Sequence, residues 1–581
     1  MGQVVSLYRY PIKGFQGEAL ASVSLSCGQG VPGDRVVGIT RGGPAEQAAP
    51  FQQLTTNEGL VHYRPGNDAG VLTLHARKPG ASGDLLSDPA QIQEAFGEQA
   101  SVIRREDGLG HWDFDDSMLS IINLRTVEAL AAKMGVPVDP MRFRGNIYIE
   151  AEPFSEFDWL GRGVRFGDTC LSIVRPIKRC RATSVNPRTG EVDMNTPAQL
   201  NRHFGHMYCG VYAQVERAGT LLPGDTVLAT DERFPAKLAI AARVPKAPAL
   251  VHWPRPARVV DMIEEAPGIR SLWLEDPLAA LGSLDGIKAG QHVALHGLTE
   301  TGTWRRYTIS GRQGARLRIT VKREAGEGSQ AIHALEVGES IRLSGPSGPD
   351  TLDLDSPAML ILSAGIGITP TITKLEALAD AQYGKPVRIV HSVRFSHELA
   401  LWDEACSIAR RLSDASIALH VTQGVDGLRD AVAGRPDISA LVTEAARLNA
   451  AIHVCGPGRF QAQVLAIATR AGAAQRLHMD SFVTPDSTVE MRAIPDKGPF
   501  TVTFKRSGIV AQWQPQDGPL LNFAESKGLV VPAHCRAGLC QTCECALVEG
   551  EVFSLSEPSR ARKGHALLCA AVPTGDVVLD C

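Results

Sequence analysis

Hydrophobic and polar positions change rhythm several times along this chain. Residues 4–10 read as a strand ending at Pro11-Ile12-Lys13-Gly14, and many short strand-like runs follow up to about residue 230. Helical periodicity in that stretch is scarce, chiefly residues 124–134, so the first part reads as a β-rich unit with barrel character. Five prolines (Pro235, Pro245, Pro248, Pro254 and Pro256) then crowd residues 234–257, as in a semi-rigid spacer. Short strands return up to about residue 353. Between 358 and 460 the pattern becomes strand–helix–strand: runs at 359–363, 387–391, 417–422 and 451–454, with a helix expected from Thr371. After a second linker, residues 500–504 and 509–513 form two strands around a turn at Ser507-Gly508, and 520–526 suits a helix. These shifts divide the chain into 1–232, a linker 233–251, 252–355, 356–483, a linker 484–498, and 499–581.

Length agrees with this division, since 581 residues exceed one core and imply roughly three to five domains. Net charge is −4, which argues against a global surface for nucleic acid or anionic membrane. No apolar run approaches a membrane span, and residues 1–5 lack a basic-then-apolar signal pattern. Gly2 and Ser6 fit the myristoylation pattern, but so short a match arises by chance. Twelve cysteines without a disulfide-scaffold pattern point to a reducing compartment, and the cytoplasm is expected.

Four of those cysteines carry chemistry by their spacing. Four residues separate Cys535 from Cys540, two separate Cys540 from Cys543, and 25 precede Cys569. This is the C-x4-C-x2-C…C spacing of a plant-type [2Fe–2S] cluster. Gly538 suits a backbone bent tightly around an inorganic core. Structural zinc sites favour paired C-x2-C knuckles, which are not present here. The strands and helix of 499–581 suit a ferredoxin β-grasp, with Cys545 as core and Cys581 unassigned. Such a centre carries one electron at a time.

A second candidate is Cys180, set among Arg175, Lys178, Arg179 and Arg181. Cations favour a thiolate, which is a soft metal ligand or a nucleophile, and they can grip a phosphate-bearing cofactor. A buried cysteine beside a solvated basic loop is an equal alternative on residue chemistry alone.

Tyr10-Pro11-Ile12-Lys13, Gly33-Asp34-Arg35, Arg142-Phe143-Arg144-x-Asn146, Arg179-Cys180, Pro187-x-Thr189-Gly190 and Gly210-Val211-Tyr212 occur in this order. The set resembles MOSC proteins with the MOSC N-terminal barrel, a group that includes amidoxime-reducing enzymes. The resemblance implies that Cys180 ligates molybdenum held by a molybdopterin. It also implies pterin and phosphate contacts from Lys13, Arg35, Arg144, Asn146, Lys178, Arg179 and Tyr212. Ile177, Gly14 and Gly145 depart from residues usual in the family.

Farther on, Arg305-x-Tyr307-Thr308 follows Gly290-Gln291-His292-Val293, and Lys322 precedes Gly326-x-x-Ser329 at a helix start. This run resembles the flavin barrel of the ferredoxin–NADP reductase superfamily. An aromatic ring can cover the isoalloxazine, an arginine can pair with phosphate, and a helix N-terminus favours pyrophosphate. Gly365-x-Gly367-x-Thr369-Pro370 and Cys455-Gly456-Pro457 lie at strand ends, where dinucleotides bind in doubly wound sheets. They resemble the nicotinamide module of the same superfamily, with Cys455 a positional group. FAD is favoured over FMN and NADH over NADPH; Arg394 is the residue to test for a 2′-phosphate contact.

The expected fold is therefore multidomain: β-rich MOSC barrels, a flavin-binding β-barrel, a doubly wound α/β nucleotide domain and a β-grasp ferredoxin domain. The resemblances imply a self-sufficient reductase passing electrons from NAD(P)H through FAD and the cluster to a molybdenum site that reduces small N-hydroxylated substrates. One alternative is a reductase feeding a separate terminal oxygenase, the MOSC part being a binding or sulfur-carrier module. Another is a pterin-bearing barrel that acts on sulfoxides or another oxo acceptor.

Overall fold

The computed structural model describes all residues except 42–50, 78–82, 108, 244–249, 300–301, 349–350, 425–429, 481–491, 530, 532, 534–537, 539–542, 557–560 and 563. The chain divides into two compact units, residues 1–255 and 256–581. No helix among the described residues is long and apolar enough to cross a membrane.

The first unit is built on one large sheet. Its strands run Thr226–Arg233, Arg162–Phe166, Thr169–Lys178, Tyr208–Arg217, Leu119–Asn123, Ile147–Glu150, Gly2–Arg9 and Glu18–Leu20. Gly2 pairs back with Val227, which closes the sheet into a barrel and removes most of its free edge. Leu119–Asn123 and Ile147–Glu150 are parallel, with Ile121 opposite Ile147. Parallel neighbours need a crossover, and the helix Leu124–Met134 lies within it. Asn123 caps that helix at Arg125 N, and Gly135 ends it in the left-handed region. Thr169–Lys178 is buried at every position but its last. Lys178 thus emerges at the rim, and the chain turns there into Arg179-Cys180.

The proline-rich segment differs from the expected spacer. Pro235–Arg243 is a helix whose Leu238 and Ala241 are buried, and Lys237 pairs with Glu216 at 3.2 Å. Proline opens this helix, where its missing N–H has no intrahelical partner to lose. Trp253 and Arg255 are also fully buried, and Arg255 donates to the Trp253 carbonyl at 3.0 Å. Proline count alone hid this docked segment.

In the second unit a closed six-stranded barrel has the order Arg255–Ala266, Ile269–Glu275, Arg316–Lys322, Arg305–Gln313, His292–His296 and Ser340–Ser347. A parallel sheet has the order Ala431–Ala433, Ala415–Val421, Val387–Val393, Met359–Ala364, Ala451–Cys455 and Leu477–Asp480. Strand order reverses at Met359–Ala364, so the crevice between it and Ala451–Cys455 is the topological switch point. The helix expected from Thr371 begins earlier, as Ile368–Asp380, because proline fits the first turn. The C-terminal domain has a sheet ordered Ile509–Trp513, Phe500–Phe504, Val577–Leu579, Glu544–Glu549 and His565–Leu567. The helix Leu520–Ser526 buries Leu520 and Phe523 in a core shared with Phe504 and Trp513.

Candidate redox sites

The first unit holds a cavity of about 590 Å³ whose walls include Lys13, Arg35, Arg144, Lys178, Cys180 and Tyr212. That size suits a small-molecule cofactor. Arg35 and Arg144 both occupy the left-handed region, at φ 56° and 53°, a conformation uncommon for residues other than glycine. Each guanidinium approaches the Tyr10 ring, at 5.1 Å for Arg35 and 4.5 Å for Arg144. Arg35 is ion-paired with buried Asp34. Asp34 in turn accepts from Tyr10 N at 2.8 Å and Asn146 Nδ2 at 3.1 Å.

Asn146 therefore stands behind the wall. Its Oδ1 accepts from Ser120 N and Oγ, its Nδ2 donates to Tyr8 O and Asp34, and it does not line the cavity. Its place in the structure is that of a brace for Asp34.

Lys13 Nζ donates to His111 O at 2.8 Å and Asp113 at 2.7 Å. Burial pushes the Asp113 carboxyl up, but Lys13 outweighs it and holds the group below its ordinary range. Local sequence gave no signal for His111, Trp112 or Asp113, because the Lys13–Asp113 contact joins positions 100 residues apart.

The basic ring around Cys180 is mostly committed elsewhere. Arg175 makes two hydrogen bonds to fully buried Asp116, at 2.9 and 3.0 Å. Arg179 turns inward to the carbonyls of Cys209 and Phe143, and Arg181 pairs with Glu58. Among the described residues, nothing accepts a hydrogen bond from Lys178 or from the Arg144 guanidinium. Burial lowers the pKa of Arg144, so a bound anion would be favourable there. Cys180 is exposed, and its carbonyl accepts from Thr183 Oγ1 at 2.9 Å, which fixes the turn that presents it.

In the flavin barrel, Arg305 and Tyr307 face the helix Glu327–Ala334. A Cβ on Gly328 would stand 2.9 Å from Arg305 Cγ, so glycine lets the helix approach. Gly326 caps that helix, and Ser329 Oγ is occupied by the Glu324 and Gly326 carbonyls. Burial raises the Tyr307 phenol's pKa and keeps it neutral. Thr308 is buried in the strand. Lys322 points to Glu398 at 3.2 Å rather than standing free for a phosphate.

The glycine loops meet at the switch point. A Cβ on Gly367 would lie 2.3 Å from Cys455 O, and Gly365 has φ 55°. Gly456 lies against Ala364, while Pro457 caps the helix Gly458–Arg470. Thr369 is buried with Oγ1 on Ile366 O at 3.1 Å, and Pro370 packs beside it, so both shape the loop from behind. Burial pushes the Cys455 thiol well up, which suits a positional group and not a nucleophile. Arg394 is paired with Glu398 at 2.8 Å. Burial opposes ionisation of Glu398, yet Arg394 and Lys322 bring its pKa down to about 2.

Cys535 and Cys540 lie outside the described residues. Cys543 and Cys569 are buried side by side, with Cys569 N donating to Cys543 Sγ at 3.4 Å and Gly538 N to Cys569 Sγ at 3.2 Å. N–H groups aimed at sulfur favour the thiolate form a metal cluster requires. Gly538 has φ 70°, and a Cβ there would stand 2.8 Å from Ala570 Cβ.

Three family profiles match in order: MOSC domain at 107–228, oxidoreductase FAD-binding domain at 271–350, and 2Fe-2S iron-sulfur cluster binding domain at 502–574. The ferredoxin reductase component of 3-ketosteroid-9-alpha-monooxygenase from Mycobacterium tuberculosis is 32% identical over 280 residues, covering 45% of this chain and 75% of that protein. Vanillate O-demethylase oxidoreductase from a Pseudomonas species is 28% identical over 312 residues, covering 52% of this chain and 92% of that protein. The solved structure of phthalate dioxygenase reductase aligns with 56% of this chain and 97% of its own, at 23% identity and TM-score 0.35.

Proposed function

This chain belongs to the flavin- and iron–sulfur-containing ferredoxin reductases and carries a MOSC domain ahead of that module; from this premise we propose that it is a self-sufficient reductase of N-hydroxylated compounds. The coarser activity is an NAD(P)H-dependent oxidoreductase in which electrons leave NAD(P)H by way of FAD and a [2Fe–2S] centre. The finer one places a molybdenum–molybdopterin group in the MOSC cavity. When bound, that group supplies two-electron oxygen-atom transfer.

The observation that carries this reading is the cavity's donor set. An exposed thiol, Cys180, shares it with Lys178 and Arg144, neither of which has an anionic hydrogen-bond partner among the described residues. Soft metals take thiolates, and a phosphate-bearing pterin takes guanidinium and ammonium donors. The residues present fit both needs. Lys13, held by Asp113, and Arg35, held by Asp34, keep two further cations on the wall. Asn146 serves from behind it by holding Asp34, while Arg179 lines the cavity with its guanidinium committed to the Cys209 and Phe143 carbonyls.

The relatives favour a second reading. Their names describe reductase components of oxygenases, so this chain could serve a separate oxygenase with the MOSC domain as a binding or sulfur-carrier module. Metal analysis of the purified protein separates the two. Near-stoichiometric molybdenum beside flavin and iron supports the first reading; flavin and iron without molybdenum, from cells that make the pterin cofactor, supports the second.

A further inference from the structure

The ferredoxin domain contains two thiols that the electron path does not use. Leu547 on Glu544–Glu549 pairs with Leu579 on the antiparallel strand Val577–Leu579, and Asp580 N donates to Ala546 O at 3.0 Å. The same register sets Cys545 opposite Cys581. Continued one step past the hydrogen bond between 580 and 546, this register would make 545 and 581 a non-hydrogen-bonded pair, for which Cα atoms typically stand about 4.5 Å apart. That separation lies within the roughly 4.4–6.8 Å that a disulfide spans.

The side chains agree with the register. Cys581 packs on the core cluster that contains Cys545, and the Cys545 thiol donates to Ala546 O at 3.6 Å. The Cys581 backbone is held from the other side by Arg506 N at 3.0 Å. Cys545 is buried, while Cys581 is half-buried and open to a small reagent.

We propose that Cys545 and Cys581 form a redox-active pair that hydrogen peroxide converts to a disulfide. The Cys581 sulfur attacks one peroxide oxygen; the O–O bond breaks, water leaves, and Cys581 becomes a sulfenic acid. The Cys545 sulfur then attacks the Cys581 sulfur, forming the S–S bond as the S–O bond breaks and a second water leaves. Two thiols lose two electrons and two protons, and one peroxide is reduced to two waters. The bond ties the end of the chain's last strand to the strand that begins just after the cluster ligand Cys543. Sacrificing this pair spares the ligand sulfurs.

The test uses the cluster-loaded full-length protein, treated with hydrogen peroxide and digested without reductant. The expected product is one peptide pair linked through Cys545 and Cys581, two hydrogens lighter than the free pair and released by dithiothreitol. Visible absorption of the cluster should persist while the link forms. Cys581→Ser should abolish the link and hasten peroxide bleaching of the cluster severalfold. Cys545→Ser offers a second route to the same result if Cys581→Ser folds poorly. Recovery of both cysteines as unlinked thiols or sulfinic acids, or cluster bleaching before any link forms, would overturn the proposal.

Discussion

Arg144 is the residue on which the character of the N-terminal cavity turns. A guanidinium in the left-handed region costs backbone energy, and burial works against its charge. Its guanidinium lies over the Tyr10 ring face at 4.5 Å, and among the described residues no side chain or carbonyl accepts a hydrogen bond from it. Such an arrangement is stabilised when an anion arrives, since a hydrogen bond to a charged group is worth about 1.5–3 kcal/mol. Arg144→Ala should therefore lower retained molybdenum about tenfold, with flavin and iron unchanged. Metal analysis of variant and parent purified together checks this. Equal molybdenum in both would remove Arg144 from the cofactor's contacts. Cys455 illustrates the opposite case: burial keeps its thiol protonated, and the carbonyl beside Gly367 is its structural contribution.

At the scale of elements, a buried histidine gives the nucleotide sheet a pH signature. His391 lies in Val387–Val393 with Nδ1 2.8 Å from Ser363 Oγ and its ring stacked on Trp402 at 5.5 Å. Burial lowers its pKa from 6.5 to about 4. An unfolded chain takes up the proton near 6.5, whereas the folded one stays neutral until about 4. The contribution is thus complete above pH 6.5 and is lost as pH falls toward 4. His391→Gln should flatten that part of the stability curve, which thermal midpoints measured across the window will show. An unchanged slope would mean that another group titrates there.

The same scale shows what the sequence could reveal. Phe500–Phe504, Ile509–Trp513, Leu520–Ser526 and Leu124–Met134 coincide with their sequence expectations, because period and caps are local signals. Pro235–Arg243 was hidden because a proline count ignores position in a first turn. Cys180 and its basic neighbours were legible as residues, but their commitments were not. Asp116 and Glu58 neutralise Arg175 and Arg181 across sequence distances that no local pattern records. Asn146 is expected from its motif to contact the cofactor, and its bonds to Ser120, Tyr8 and Asp34, from distant parts of the chain, are not legible locally.

For the whole molecule, the proposed route requires the ferredoxin domain to exchange electrons with the flavin and with the MOSC domain in turn. The linker expected at 484–498 is proposed as the tether for these exchanges; Arg492 N donates to Leu555 O at 2.8 Å and Ile494 packs on the ferredoxin core, so any shortening belongs before Arg492. Removing several of its residues should slow NADH-driven turnover of an N-hydroxylated substrate while flavin, iron and molybdenum contents stay constant. Unchanged turnover would show that the tether length is immaterial.

Cys180 is proposed to belong to a working terminal redox site. The most direct test is NADH oxidation with an amidoxime as acceptor, in molybdenum-loaded parent and Cys180→Ala proteins, with cytochrome c reduction as the control. Amidine is expected in step with NADH consumed in the parent, none in the variant, and equal cytochrome c reduction in both. No amidine from the molybdenum-loaded parent, or equal amidine from the variant, would contradict it.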